Sequence, residues 1–97
     1  MFEQEGCPWC RRWVEDIGKI YEKTEEARLM PLRRIRIYDP SQGNIVLQRP
    51  VRYTPTFVVV DRGREVGRIT GYIDDAAFWG LLGKLAEKVE SPSNRAP

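Results

Sequence analysis

The chain lacks histidine altogether and has only two cysteines among its 97 residues. Without histidine, Ser-His-Asp and Cys-His catalysis are excluded, and so are most zinc sites. Two cysteines cannot form the framework of several disulfides that stabilises many small secreted domains. The cysteines nevertheless come first among the candidate residues, because they lie close together as Cys7 and Cys10.

Long apolar runs and an excess of one charge are also missing. The longest strongly apolar stretch, Phe57–Val60, has the length of a strand, whereas a membrane span needs ~20 residues. Lysine and arginine number 16 against 14 acidic residues, and this balance does not predict nucleic-acid binding. We therefore expect neither membrane insertion nor a nucleic-acid partner, and we interpret the basic strand residues Arg33, Arg34 and Arg36 as protection of a sheet edge.

The spacing of apolar residues predicts a single domain with one sheet and helices packed on its faces. Residues 1–5 end a strand, and an amphipathic helix follows that contains Trp13. A strand over 32–38, a shrunken helical connection, a hairpin over 56–70 and a helix capped by Asp74 complete the order. We expect the domain to cover residues 1–90, with a disordered tail over 91–97. The predicted core aromatics are Trp13, Phe57, Phe78 and Trp79.

The start of the chain is abrupt. No basic segment followed by an apolar one precedes the first strand, so the given sequence contains no signal peptide. A central strand usually has ~5–6 residues. We therefore expect the chain to begin after a removed leader or partway into its first strand.

The strongest chemical signal is the Cys-Pro-Trp-Cys motif at the predicted strand-to-helix turn. Unpaired N–H groups and the positive end of the helix dipole would stabilise a thiolate at Cys7 and lower its pKa below the free value of ~8.5. Pro8 suits the first helical turn, and Arg11 and Arg12 add positive charge one turn later. We interpret Cys7 as the nucleophile that attacks a disulfide, and Cys10 as the thiol that resolves the mixed disulfide.

Three other interpretations of the two cysteines stay open. They could be half of a zinc site completed by carboxylates or by another subunit. They could form a structural disulfide, although so short a loop stabilises a fold little. They could also be two inert buried thiols. Dithiol exchange is favoured because the strand-to-helix turn is the context that makes the motif specific.

A second group of candidate residues, Tyr53-Thr54-Pro55-Thr56, lies just before the hairpin. A cis Thr54–Pro55 bond would put a tight bend beside Cys7 and leave the Thr54 backbone free to pair with an extended substrate segment. The trans bond is the default for X-Pro sequences and remains the alternative.

Aromatic residues near the motif form a further candidate feature. Exposed Trp9, Tyr53 and Tyr72 would surround Cys7 with an apolar collar suited to docking a peptide. The alternative is that these rings are partly buried for packing.

These motifs together resemble the thioredoxin superfamily over residues 1 to about 89. The resemblance rests on Cys7-Pro8-Trp9-Cys10 after a strand, Thr54-Pro55 before a hairpin, Gly71 after it, and a closing helix. Residues 2–13, 53–58 and 67–72 are similar to the small exported thioredoxins of bacterial sulfur oxidation, the SoxS type. The resemblance implies an α/β thioredoxin-like fold with a central four-stranded mixed sheet (β-α-β-[short α]-β-β-α) and helices on both faces. It also implies an exposed Cys7, a buried Cys10 and a cis Pro55.

The same resemblance implies a function. The protein would exchange thiols and disulfides in the periplasm and keep a sulfur-carrier protein reduced, with electrons from a membrane thiol transporter. Dithiol exchange requires no metal and no organic cofactor. Two alternatives are a glutaredoxin-like enzyme that removes glutathione adducts and a non-catalytic peptide-binding module. The direction of exchange stays undecided, because Pro8-Trp9 does not fix the reduction potential.

The chain departs from the family pattern in several places, two of which bear on candidate site residues. Thioredoxins carry a buried aspartate six residues before the first cysteine, where this chain has Met1. Glu3 lies on the same strand face and is the candidate replacement as proton acceptor for Cys10. The alternative is that Glu3 is a solvated carboxylate. Gly71-Tyr72-Ile73-Asp74-Asp75 is similar to the glutathione site of glutaredoxins, but Tyr72 replaces a glycine. A simple helix cap at Asp74 explains the same residues.

Overall fold

A mixed sheet with strand order β2-β1-β3-β4 organises the chain, of which the computed structural model describes residues 1–89. The strands are β1 (Phe2–Glu3), β2 (Ile35–Arg36), β3 (Thr56–Asp61) and β4 (Arg64–Thr70). β1 is parallel to β2 and antiparallel to β3, and β3 and β4 form the predicted hairpin. The four-stranded mixed sheet is confirmed. The tail predicted over 91–97 lies outside the described residues.

The edge strand β2 is shorter than the sequence predicts. Regular pairing covers Ile35–Arg36 instead of residues 32–38. Its neighbour β1 has only two residues and offers only two positions for parallel pairing. Alternation of apolar and basic side chains therefore marks the place of β2 correctly but overestimates its length.

The predicted first helix is continuous but irregular. It consists of α1 (Pro8–Trp13), a π-helical segment (Val14–Gly18) and α2 (Lys19–Tyr21), and the backbone stays helical at both junctions. A short helix α3 (Glu25–Leu29) follows, and the Thr24 hydroxyl accepts its Ala27 N–H at 3.2 Å. No helix within residues 1–89 is both long enough and apolar enough to cross a membrane.

An aromatic core joins the first helix and the last helix, α4 (Asp75–Ala86), to one face of the sheet. The Trp13 ring lies 5.1 Å from Phe57 and 5.6 Å from Phe78, centroid to centroid. Trp79 packs against the edge of this core and stacks on Tyr21. The predicted core positions of these four aromatics are confirmed, and the core fixes the helix that begins at the cysteine motif.

The second face of the sheet has a lighter cover. The shrunken connection before β3 contains one 3-10 turn (Gln42–Asn44), and Gly43 lies so close to Ile35 that an added Cβ would be 2.5 Å from its Cδ1. Beyond this turn, Val46 forms an isolated bridge with Arg64 of β4. The two faces are therefore covered unequally. The α-helices pack on one face, and within the described residues a single 3-10 turn is the helical element on the other.

Candidate active site

Cys7 and Cys10 form a disulfide at the start of α1, with their Cα atoms 5.3 Å apart. Cys7 is the N-cap residue in an extended conformation, and Pro8 occupies the first helical turn, as its missing N–H allows. This is the oxidised state that dithiol exchange requires. Within residues 1–89 no three histidine, cysteine, aspartate or glutamate side chains gather as a metal site.

The backbone directs positive charge at the sulfur of Cys7. The Cys10 N–H donates to the Cys7 Sγ at 3.1 Å. The Arg11 N–H donates to the Cys7 carbonyl oxygen at 3.2 Å, and the Arg11 side chain is exposed. In the reduced protein, an N–H group aimed at this sulfur and the adjacent helix end favour a thiolate.

Cys7 is less exposed than the resemblance implies. In the disulfide, 8% of Cys7 and 4% of Cys10 are accessible, and both residues belong to the buried core cluster. The expectation of an openly exposed Cys7 is therefore corrected, although Cys7 is the more accessible of the two.

The Thr54–Pro55 bond is cis, as the resemblance implies. Phe2 pairs with Thr56 in antiparallel register. The residues before β3 therefore lie at the same end of the strands as the loop that follows β1 and leads to Cys7. The bend is held by the Pro55 carbonyl oxygen, which accepts the Gly71 N–H at 2.7 Å. The structure thus brings the cysteine loop, the proline bend and Gly71 together.

Of the three aromatics predicted to form a collar, two are exposed. Trp9 is 51% accessible and Tyr53 67%. Tyr72 is buried instead: its hydroxyl donates to Asp16 at 2.7 Å and its ring meets the edge of Phe78. The prediction of an exposed Tyr72 is wrong, because a carboxylate and the aromatic core both hold it inside. The exposed apolar residue of this loop is Ile73, which the sequence analysis missed.

Asp16 links the buried tyrosine to the motif. Its carboxylate also pairs with Arg12 at 3.7 Å, and the Arg12 guanidinium lies 5.8 Å from the Trp9 ring centroid. Burial, followed by the hydrogen bond to Asp16, raises the pKa of Tyr72 to about 12. The phenol is therefore protonated at neutral pH and acts as a hydrogen-bond donor.

Glu3 is committed to a cross-strand ion pair. Both of its carboxylate oxygens accept bonds from Arg34, at 2.6 and 2.7 Å. The hydrogen bond to Glu3 raises the pKa of Arg34. Arg34 thus occupies both carboxylate oxygens of Glu3, whose side chain is 19% accessible. The role of Glu3 as proton acceptor for Cys10 stays a prediction.

A buried ion pair beside the proline bend is the main feature that the sequence analysis missed. Arg68 donates to both carboxylate oxygens of Glu65, at 2.6 and 2.7 Å, and the Glu65 side chain is fully buried. These residues are three apart and would face opposite sides of a regular strand. A register irregularity opposite Val59 and Val60 adds one residue to β4 and brings both side chains to the same face.

Comparisons with known proteins agree with this architecture. A family model described as a thioredoxin-like domain matches residues 1–86. The crystal structure of the periplasmic thioredoxin SoxS from Paracoccus pantotrophus, in its reduced form, is 41% identical. The match covers 93% of this chain and 95% of that one, with a TM-score of 0.88. Among proteins of curated function, none matches the chain.

The family match and the disulfide of Cys-x-x-Cys spacing together support thiol–disulfide oxidoreductase chemistry in general. The family match extends over most of the chain, and the structural likeness extends over nearly all of both chains. The chain therefore belongs to the thioredoxin-like family and is similar to the SoxS-type thioredoxin.

Proposed function

We propose that the protein reduces disulfides or mixed disulfides on a partner protein, with Cys7 as the nucleophile and Cys10 as the resolving thiol. The observation that carries this proposal is the Cys7 Sγ at the N-terminus of α1, where it accepts the Cys10 N–H. A sulfur in this position is stabilised as a thiolate, the form that attacks disulfides.

The reaction has two exchange steps. The Cys7 thiolate attacks one sulfur of the substrate disulfide, forms a mixed disulfide, and releases the other substrate sulfur as a thiolate that takes up a proton. Cys10 then loses its proton and attacks the Cys7 Sγ, which forms the Cys7–Cys10 disulfide and releases the second substrate thiol. Two electrons and two protons pass to the substrate. The protein must afterwards be reduced by another dithiol.

The substrate segment would lie along the proline bend. We assign Trp9 and Tyr53 to contacts with its side chains, since both are exposed, Trp9 lies between the two cysteines and Tyr53 precedes the cis bond. The backbone of Thr54, with Pro55 and Gly71 supporting the bend, would pair with the extended segment. Arg11 and Pro8 would act on the thiolate of Cys7 by adding positive charge and by fixing the helix start. Tyr72 would support the bend from within.

The location and partners are proposed from the likeness to a periplasmic thioredoxin. We propose that the protein acts in the periplasm, that its substrate is a sulfur-carrier protein, and that a membrane thiol transporter supplies the electrons.

Partner trapping with Cys10→Ser tests the proposal. Without the resolving thiol, the mixed disulfide should accumulate through Cys7 in the native host and disappear on treatment with dithiothreitol. The matched control, Cys7→Ser, should trap no partner through the normal route. If Cys10→Ser accumulates no adduct, dithiol exchange with a protein loses its support.

The same variant addresses the glutaredoxin-like alternative. A deglutathionylating enzyme would work with glutathione alone and would keep this activity in Cys10→Ser. The proposed dithiol mechanism instead predicts that turnover on protein disulfides is lost. A non-catalytic peptide-binding module would show an ordinary rate of Cys7 alkylation at neutral pH.

A further inference from the structure

A basic depression lies next to the proline bend, on the sheet face opposite the aromatic core. It is lined by Arg49, Arg52, Tyr53, Thr56, Arg68 and Thr70. Arg52 and Tyr53 immediately precede the cis Thr54–Pro55 bond, and Thr70 immediately precedes Gly71. The depression therefore adjoins the segment proposed to hold the substrate.

Arg68 has structural partners inside the protein. Besides its two bonds to Glu65, it donates to the carbonyl oxygens of Arg49 at 2.7 Å and Pro50 at 3.2 Å. Glu65 also accepts the Gln48 N–H at 2.8 Å. The charges of Glu65 and Arg68 cancel, and their bonds fix the backbone of residues 48–50.

The other two arginines add positive charge at the surface of this loop. Arg49 and Arg52 are both exposed, and neither forms an ion pair with an acidic residue of segment 1–89. Arg49 helps to lower the pKa of Glu65, but the hydrogen bonds from Arg68 contribute more, and the Glu65 carboxylate is already bonded by Arg68 and Gln48. A fixed backbone thus presents two exposed arginines beside the proposed substrate path.

We propose that this depression selects acidic polypeptide segments: aspartate or glutamate side chains flanking the target cysteine pair with Arg49 and Arg52 while Cys7 attacks. The proposal rests on the proposed function and adds a substrate class to it. Charge complementarity at the rim of an interface speeds association and discriminates between partners. Guanidinium groups also match carboxylates in geometry.

The test uses the reduced full chain and three peptides that share one cysteine, held as a mixed disulfide with uncharged 2-thiopyridine. The residues flanking the cysteine are glutamates, glutamines or lysines. Release of pyridine-2-thione in a single turnover gives the second-order rate constant for each peptide. We expect glutamate peptides to be preferred over glutamine peptides by about three- to tenfold, as two exposed ion pairs allow. Lysine peptides should be the slowest, and the preference should shrink as salt rises above ~0.15 M.

Variants separate this depression from the general charge of the protein. Arg49→Gln combined with Arg52→Gln should lower the second-order rate constant for the glutamate peptide to the value of the glutamine peptide. Arg28→Gln, the matched control, removes an exposed arginine of α3 that pairs with Glu25 and should leave the preference intact. Thermal unfolding of each variant verifies folding.

The outcomes distinguish the two proposals. Equal rates on glutamate and glutamine peptides, or a preference that survives the double arginine variant, would overturn the acidic-segment proposal while dithiol exchange stands. If reduced protein releases pyridine-2-thione from none of the peptides, nor from uncharged dithiodipyridine, the proposed function fails and the substrate class falls with it.

Discussion

At the scale of single residues, Tyr72 shows how one hydrogen bond changes the role of a side chain. An aromatic residue after the hairpin could be exposed for substrate contact or buried for packing, and sequence alone does not decide between them. The Asp16 carboxylate and the Phe78 ring hold Tyr72 inside. Asp16 lies in the π-helical segment, an irregularity that apolar spacing does not predict. The pairing was therefore not accessible from the sequence.

This pairing predicts a measurable loss of stability in Tyr72→Phe. Removing the hydroxyl keeps the ring contacts but deletes a partly buried bond to a carboxylate, so the free energy of unfolding should fall by about 1–2 kcal/mol in urea denaturation. Tyr38→Phe is the matched control, because its hydroxyl bonds Gln4 at the exposed surface and should contribute little. Equal losses in both variants would contradict the assignment.

At the scale of elements, the hairpin carries the Glu65–Arg68 ion pair that holds the loop before the proline bend; we call this pair the clamp. Glu65 and Arg68 of β4 together bond the backbone of residues 48–50. The hairpin was predictable from the sequence, since two strand-like runs flank Asp61-Arg62-Gly63-Arg64. The sequence analysis missed the clamp, because strict alternation assigns Glu65 and Arg68 to opposite faces. Only the added residue in β4 reconciles them.

The clamp makes stability depend on pH. The hydrogen bonds from Arg68 hold the pKa of Glu65 below its usual range. A depressed folded pKa gives stability that is fully present above the unfolded value of ~4.3 and is lost as pH falls through the folded pKa. Glu65→Gln should therefore cost about 3 kcal/mol at neutral pH, since it leaves Arg68 buried without its charge partner.

Chemical denaturation across pH measures this effect. The gap in unfolding free energy between wild type and Glu65→Gln should narrow as the pH falls below ~4. Glu25→Gln, which breaks an exposed pair with Arg28, should leave stability unchanged at every pH. If the difference in unfolding free energy between wild type and Glu65→Gln stayed constant into strong acid, the assigned role of the Glu65–Arg68 pair would be contradicted.

At the scale of the whole molecule, the sequence predicted what local rules determine. Apolar spacing located the first helix and the aromatic core, and Asp74 marked the start of α4, where it accepts the Ala77 N–H at 2.8 Å. The cis bond at Pro55 required the family resemblance, because base rates favour trans. The short β2, the pairing of Glu3 with Arg34 and the covered Cys7 depend on contacts distant in sequence, which local patterns do not encode.

The molecule thus combines a buried aromatic core with a small group of exposed side chains near the cysteine motif. Trp13 anchors the helix that starts at Cys7 by packing on Phe57. Trp9, Tyr53, Arg49 and Arg52 are exposed to solvent. A sulfur held on a packed helix beside exposed side chains suits exchange with protein partners. The central claim is that this sulfur is held as a thiolate by the start of α1.

The most direct test is to alkylate the reduced protein with iodoacetamide over a range of pH. Mass spectrometry then shows which cysteine is modified. We predict that Cys7 reacts first, with a midpoint clearly below the ~8.5 of a free thiol. A midpoint at or above the free value, or preferential labelling of Cys10, would contradict it.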